Sequence, residues 1–166
     1  MDAAADAEFS EFMQGRWAML VRLGYGLTGD LQLAEDLAQT AFARAYASWA
    51  RVRRADHPEA YLRRIVVNAN NSRFRKARVS ELLTDAVPEM LAAAADHRDD
   101  RDTLMAALLQ LPYGQRAAVV LRYWLDLSEA ETAAILGCSV GNVKSQSARA
   151  LAKLRASAVL LEGGLQ

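Results

Sequence analysis

The chain has 166 residues, 52% of them hydrophobic and 24% charged, a balance that allows a buried core and argues against wholesale disorder. It contains only three prolines and nine glycines, and no stretch alternates apolar with polar residues, so we expect an all-α fold without a sheet. The net charge is zero, but acidic and basic residues are segregated along the chain, and a basic block is the usual mark of a polyanion site.

Two helices are predicted before the first basic block. The first covers about residues 8–23 and ends at a segment that contains three glycines, Gly24, Gly26 and Gly29. Asp30 then provides an N-cap for a second helix over about residues 31–49. One side of this second helix carries little charge or bulk apart from Asp36 and Gln39. That side suits the close approach of a partner helix, although a plain solvent-exposed helix explains it at least as well.

A basic block follows, in which residues 44–79 hold ten basic and two acidic side chains. We predict a basic loop over 51–57 and a third helix over about 58–78. One face of this helix alternates cations with amides at spacings of three and four residues: Arg64, Asn68, Asn71, Arg75 and Arg78. Cations suit phosphates and amides suit unpaired base edges, with Val67 and Phe74 near the border to contact bases. An ordinary solvated helix face is the alternative.

Acidic residues dominate again after the third helix. Residues 80–102 hold seven acidic and two basic side chains, together with Pro88 and an alanine run, which is typical of a linker. We therefore predict two small helical domains, over residues 5–79 and 101–160, which are joined by an acidic linker over residues 80–100.

The second domain is predicted to end in a helix-turn-helix. Ser128 and Glu131, three residues apart, form a capping box at the start of one helix. Gly137 supplies the left-handed residue that ends this helix, and Ser139 can cap the next one. A short glycine-containing turn between two capped helices is typical of DNA-reading proteins, and a plain helical hairpin is the alternative.

The second helix of this motif has a polar face without acidic residues. At about 100° per residue, Val140, Val143 and Ser147 lie on the side that docks against the first helix. The opposite side carries side chains of the kinds that read base edges, while Lys144 lies at the border, where it can reach a phosphate. The predicted DNA contacts of this segment are Ser139, Val140, Asn142, Lys144, Ser145, Gln146 and Arg149.

The chain lacks residues that other function classes need. Its one cysteine, Cys138, allows no intramolecular disulfide, which fits a reducing cytoplasm. No secretion signal and no apolar run of membrane-spanning length is visible. Two isolated histidines form no metal-ligand cluster. We expect a cytoplasmic protein that is not an enzyme, needs no metal or other cofactor and contacts no membrane.

Four sequence phrases resemble the extracytoplasmic-function (ECF) class of bacterial RNA polymerase sigma factors, of the actinobacterial SigE-like type. They occur in the family's order, and the resemblance covers residues from about 8 to 158. The phrases are Ala34-Glu35-Asp36-Leu37-Ala38-Gln39-Thr40-Ala41-Phe42, Tyr61-Leu62-Arg63-Arg64-Ile65-Val66-Val67-Asn68, Leu111-Pro112-Tyr113-Gly114-Gln115-Arg116 and Ser139-Val140-Gly141-Asn142-Val143-Lys144-Ser145. One such phrase is suggestive, whereas four in order are specific.

The resemblance implies a transcription initiation factor that binds core RNA polymerase and promoter DNA. Residues 5–79 correspond to sigma region 2, which recognises the −10 element, and residues 101–160 to region 4, whose helix-turn-helix recognises the −35 element. The implied contacts with the clamp helices of the polymerase are Asp36, Gln39 and Phe42. The implied −10 contacts are Tyr61, Arg64, Asn68, Asn71 and Arg75. Region 4 also touches the polymerase flap, and the family leaves room for an anti-sigma factor as a partner.

The chain departs from the family pattern at three positions. Thr40 stands where an acidic residue is common, on the side expected to meet the polymerase. Asn142 and Gln146 stand where Thr and Arg are common, so a −35 sequence cannot be carried over. Two other classes remain alternatives: a two-domain helix-turn-helix regulator that does not act through core polymerase, and a recombinase-like enzyme. The basic third helix argues against the first, and the lack of a catalytic cluster argues against the second.

Overall fold

The computed structural model describes residues 2–84 and 100–163, with side chains described for residues 2–80 and 103–158. All regular structure in these ranges is helical, which confirms the predicted all-α class. Within the same ranges, no helix is both long and apolar enough to cross a bilayer. Most of the predicted linker, residues 85–99, lies outside the described residues.

The first helix, α1 (Ala3–Thr28), is longer than predicted. The Asp2 carboxylate caps its start, and Gly29, in the left-handed region at φ 70°, ends it. The prediction of an end near residue 23 is wrong because the glycine that follows marks a helix crossing. A Cβ on Gly24 would lie only 2.8 Å from the Cα of Ala34 in the next helix, so a larger residue would push the two helices apart.

The next two helices, α2 (Leu31–Ala47) and the short α3 (Trp49–Val52), divide the single helix predicted in this part of the chain. Asp30 caps α2 as predicted, since its side chain accepts a hydrogen bond from a backbone amide in the first turn. The first two residues of the segment predicted as a basic loop, residues 51 and 52, belong instead to α3. Trp49 and Val52 are buried in the core and hold this turn in place.

The fourth helix, α4 (Pro58–Thr84), extends into the segment predicted as linker. Leu62 and Val66 are fully buried, because this side of α4 packs against α1 and α2. From Ser72 to Ser80 every side chain is exposed. Helices α1–α4 form the N-terminal bundle. The first half of α4 therefore lies in the core of this bundle, and the side chains of residues 72–80 are exposed to solvent.

Four more helices make up the C-terminal bundle. They are α5 (Asp100–Leu109), α6 (Tyr113–Val119), which continues as a π-helical turn over Val120–Trp124, α7 (Glu129–Leu136) and α8 (Val140–Gly163). In the core of this bundle α8 packs against α6 and α7, and it buries Val143 and Ala150 completely.

The two bundles pack directly against each other, and their buried side chains form one continuous cluster. On one side of this contact, the Trp124 indole N–H donates to the Arg22 carbonyl at 3.0 Å, and the Arg22 guanidinium donates to the Trp124 carbonyl at 2.9 Å. Gly26 leaves room for the π-helical turn, because a Cβ there would lie 2.9 Å from Val120 Cγ1.

Candidate nucleic-acid interface

The helix-turn-helix has the caps that its sequence predicts. The Ser128 hydroxyl accepts from the Glu131 amide at 3.0 Å, and the Glu131 carboxylate accepts from the Ser128 amide at 3.3 Å. Hydrogen bonds from the hydroxyl and the amide of Ser128 lower the pKa of the Glu131 carboxyl. Gly137 ends α7 at φ 68°, and the Ser139 hydroxyl accepts from the Asn142 amide at 3.0 Å. These bonds fix the angle at which α8 leaves the turn.

The two sides of α8 divide nearly as the helical wheel predicts. Val143 and Ser147 are buried, but the prediction that Val140 docks against the first helix is wrong, since this side chain is 40% exposed. Val140 is the first residue of α8, and α7 has already ended at Gly137, so it has no helix to pack against. Its exposure is compatible with its other assignment, as a DNA contact.

The remaining predicted −35 residues lie along the first turns of α8. Ser139, Asn142, Lys144, Ser145 and Arg149 are exposed, and Gln146 is half-buried. Lys144 Nζ lies 3.8 Å from Glu129 Oε2, with 66% of the Lys144 side chain exposed. A surface pair of this kind is worth little, so the Lys144 ammonium stays free to exchange Glu129 for a phosphate.

The predicted −10 residues lie along α4, where the helix leaves the core. Arg64, Asn68 and Arg75 are exposed, while Tyr61 and Asn71 are half-buried. Val67 was expected at the border of this face, but only 3% of it is exposed because it points into the core; the prediction that it contacts bases is wrong. Phe74 is 42% exposed and remains on the surface.

Arg63, the neighbour of Arg64, has a structural role. Its guanidinium is half-buried and lies 3.0 Å from the Met19 sulfur. Burial lowers the pKa of Arg63, while the negative charges of Glu59 and Glu131 act in the opposite direction. Arg63 therefore lies in the field of carboxylates from both bundles, whereas Arg64 is exposed.

The predicted polymerase-binding residues separate into two groups. Asp36 and Gln39 are exposed on α2. Phe42 is only 3% exposed and stacks on Trp17 with ring centroids 6.1 Å apart. The assignment of Phe42 as a direct polymerase contact is therefore corrected, because its ring is enclosed by the core; it supports α2 from within.

Four residues of the predicted −10 and −35 faces line a common cavity in this structure, an arrangement that no sequence pattern indicated. Asn68 and Asn71 of α4 and Asn142 and Gln146 of α8 line one cavity of about 210 Å³. Tyr113, the first residue of α6, also lines this cavity. Its hydroxyl donates to the carbonyl of Val67 in α4.

Arg116 is a structural residue that sequence reasoning named only as part of a family phrase. It is 5% exposed, and its guanidinium donates to the carbonyls of Leu27 (3.0 Å), Leu108 (3.0 Å), Leu109 (2.9 Å) and Leu111 (3.1 Å). These carbonyls lie at or just after the ends of α1 and α5, where a positive charge is favourable. Burial lowers the Arg116 pKa, and the Tyr113 hydroxyl partly opposes this.

Each of the two bundles matches the model of a known protein family. Residues 17–79 match the model described as sigma-70 region 2, and residues 101–154 match the model described as sigma-70, region 4. The matches cover the α4 face and the helix-turn-helix, respectively. No group of three or more His, Cys, Asp or Glu side chains that could hold a metal ion occurs among the residues described.

Individual relatives extend the similarity over most of the chain. The RNA polymerase sigma-E factor of Streptomyces coelicolor is 41% identical over 149 residues, which cover 89% of this chain and 84% of that protein. The ECF RNA polymerase sigma factor SigM of Mycobacterium tuberculosis is 34% identical, over 88% of this chain and 74% of that one.

A solved structure shows the same arrangement of helices. The sigma factor RpoE of Bartonella quintana, in complex with the anti-sigma factor NepR, superposes with a TM-score of 0.71 at 27% identity, over 89% of this chain and 96% of that chain. CnrH, in complex with the cytosolic domain of CnrY, gives a TM-score of 0.64 at 25% identity over 95% and 90% of the two chains. The chain belongs to the ECF class of RNA polymerase sigma factors.

Proposed function

We propose that this sigma factor recognises the −10 element with the face of α4 and the −35 element with the exposed side of α8. The observation that carries this assignment is that both helices present cations and amides without an acidic residue among them. The α4 face consists of Tyr61, Arg64, Asn68, Asn71 and Arg75, and the α8 face consists of Ser139, Val140, Asn142, Lys144, Ser145, Gln146 and Arg149.

The chemistry of the two faces suits different forms of DNA. Helix α8 follows a capped turn and carries amide and guanidinium groups within its first three turns, the part of a recognition helix that enters the major groove. On α4, amides alternate with cations next to an exposed aromatic ring, Phe74, a combination that suits an unstacked single strand. Melting is then driven by binding energy, and the sigma factor itself makes and breaks no covalent bond.

The division of labour follows the two bundles. We assign residues 5–79 to core polymerase and the −10 element, and residues 101–160 to the −35 element and the polymerase flap, with residues 80–100 as the linker. Asp36 and Gln39 contact the clamp helices from the exposed side of α2. The protein acts in the cytoplasm, without a metal or other cofactor. Because the Bartonella quintana RpoE structure is a complex with an anti-sigma factor, an anti-sigma factor is a partner to test.

The test uses core RNA polymerase and duplexes randomised at the −10 and −35 positions. Open complexes that resist heparin are sequenced with and without the protein. We expect two enriched motifs that appear only when the protein is present. Failure of the wild-type protein to bind core polymerase at low salt, or to enrich any motif, contradicts the proposed function.

Two substitutions separate the roles of the faces. Arg149→Ala should relax one or two positions of the −35 motif by about tenfold or more, because a base-edge contact is worth ~1–3 kcal/mol. Arg64→Ala should lower the yield of open complexes on all templates, because a phosphate contact carries no sequence information. The matched controls are Arg155→Ala on α8 and Arg73→Ala on α4, both exposed and off these faces. An unchanged yield for Arg64→Ala contradicts the role of α4.

A further inference from the structure

Another cavity, of about 170 Å³, lies wholly within the C-terminal bundle, between the π-helical turn, the start of α7 and the first turns of α8. Arg122, Glu129, Lys144 and Ser147 supply its polar lining. The Lys144 side chain is 66% exposed, and all the lining residues belong to one bundle. A ligand can therefore reach this cavity without any movement of the two bundles relative to each other.

Two cations share one carboxylate in this cavity. Arg122 Nη2 lies 4.0 Å from Glu129 Oε1, and Lys144 Nζ lies 3.8 Å from Glu129 Oε2. Both separations exceed the length of a charge-assisted hydrogen bond, which is about 2.7–2.9 Å. Glu129 therefore balances two cations from different elements without bonding tightly to either, and another anion can replace its carboxylate at little cost.

The position of Arg122 is fixed by contacts that do not involve Glu129. Its Nη1 group donates to the Leu127 carbonyl, and its guanidinium carbon lies 5.2 Å from the centroid of the Tyr123 ring. Because the backbone and the ring hold the guanidinium, it keeps its place when the Glu129 carboxylate moves away. An incoming anion then meets a preformed cation, which lowers the cost of binding.

Two further features of the cavity favour an anion. Glu129 is the first residue of α7, whose start is capped by Ser128, and the amides of a first helical turn attract negative charge. Ser147 is only 6% exposed, and its hydroxyl has no hydrogen-bond partner among the described residues. The cavity thus combines two cations, a helix N-terminus and an unused hydroxyl donor, and the acidic side chain of Glu129 partly fills it.

We propose that this cavity is a site for a phosphate group of the DNA backbone, and that Glu129 is a positioning residue that occupies the site until a phosphate displaces it. Glu129 keeps the Arg122 and Lys144 cations together and lowers the affinity for DNA of any sequence. The inference rests on the proposed function, since Lys144 belongs to the proposed −35 face. Because a phosphate contact carries no sequence information, Glu129 sets how strongly the protein holds DNA and not which bases it reads.

The test measures binding of the full chain, without polymerase, to a short random-sequence duplex by fluorescence anisotropy over a series of salt concentrations. Glu129→Gln keeps the size of the side chain and removes its charge. We expect about fivefold tighter binding at low salt, and a slope of log K against log salt that is steeper by about 0.9, because one more phosphate contact forms. A purely structural role for Glu129 at the start of α7 predicts the opposite, namely weaker or unchanged binding.

Two further variants separate the contact from the change in net charge. Asp126→Asn makes the same charge change in the same bundle, at an exposed residue whose φ of 56° asparagine accepts. It should alter the affinity by less than about twofold, since screening weakens a distant charge. In a Lys144→Met background, Glu129→Gln should gain less than in the wild type, because one of its two cations is gone. Glu129→Ala replaces Glu129→Gln if the latter loses helical circular dichroism.

The outcomes distinguish the role of Glu129 from the proposed function. Equal affinities of the wild type and the folded Glu129 variant, binding by neither, or an equal gain in Asp126→Asn overturns the role of Glu129. A gain of the same size in the Lys144→Met background overturns it too. Failure of the wild-type protein to enrich promoter motifs with core polymerase overturns the proposed function. The duplex titration needs neither polymerase nor promoter, so it still decides whether Glu129 weakens binding to DNA.

Discussion

The N-terminal bundle is held together by aromatic side chains that lie far apart in the sequence, whereas the C-terminal bundle relies on helix caps and one buried cation. In the first, the Phe9 ring meets Trp49 edge-on with centroids 5.3 Å apart, and Phe42 stacks on Trp17. In the second, Arg116 binds four backbone carbonyls.

This difference matters for what each bundle presents. Burial of apolar surface is a nondirectional stabilisation, and aromatic rings bury large areas, which suits α4, a helix that needs a firmly packed base beneath the long face proposed to read DNA. Caps and hydrogen bonds are directional. They suit α8, because the turn between Gly137 and Ser139 sets the angle at which this helix would enter a groove under the proposed function.

The largest expected effect comes from breaking the aromatic cluster. Phe42→Ala removes a ring that contacts Phe9, Phe12 and Trp17, and we expect the free energy of unfolding to fall by about 3–5 kcal/mol. Urea titration followed by circular dichroism measures it. Tyr46→Phe is the control, since it removes only an exposed hydroxyl bonded to Asp6 and should cost less than about 0.5 kcal/mol. Similar urea midpoints for Phe42→Ala and Tyr46→Phe would show that the aromatic cluster does not stabilise the N-terminal bundle.

A smaller but more specific effect is expected at Arg116. Arg116→Met keeps apolar bulk but leaves buried carbonyls without a donor, which should cost about 3 kcal/mol. Because the guanidinium also binds the Leu27 carbonyl of the N-terminal bundle, the urea transition should broaden or split in two. Arg155→Met, on the exposed side of α8, serves as the control. A single transition at the wild-type midpoint would show that Arg116 does not join the bundles.

The same contrast explains which features the sequence could predict. The capping box of Ser128 and Glu131 and the left-handed Gly137 depend on residues within one or two turns, and the structure confirms both features. The apolar side of α8 was also predictable from its period, apart from Val140, whose exposure depends on where α7 ends.

Features that depend on distant partners were not predictable. Gly24 looks like a helix end in the sequence but allows Ala34 to cross closely. Helical spacing already places Phe42 on the core side of the second helix, but only the structure shows that Phe9, Phe12 and Trp17 are the rings around it. The meeting of α4 and α8 in one cavity follows from the docking of two bundles, and no local periodicity encodes it.

The smallest effect is expected at the cap of the helix-turn-helix. Ser128→Ala removes the hydroxyl that accepts from the Glu131 amide at 3.0 Å, and loss of an N-cap costs about 1 kcal/mol. Ser157→Ala is a matched control on α8, because the Ser157 hydroxyl bonds only to the Lys153 carbonyl inside the helix, where alanine is as good or better. We expect the urea midpoint to fall for Ser128→Ala alone. Equal midpoints for the two serine variants would mean that packing against α6, rather than the cap, sets the position of α7, and the contrast between the bundles would then be weaker than the hydrogen bonds suggest.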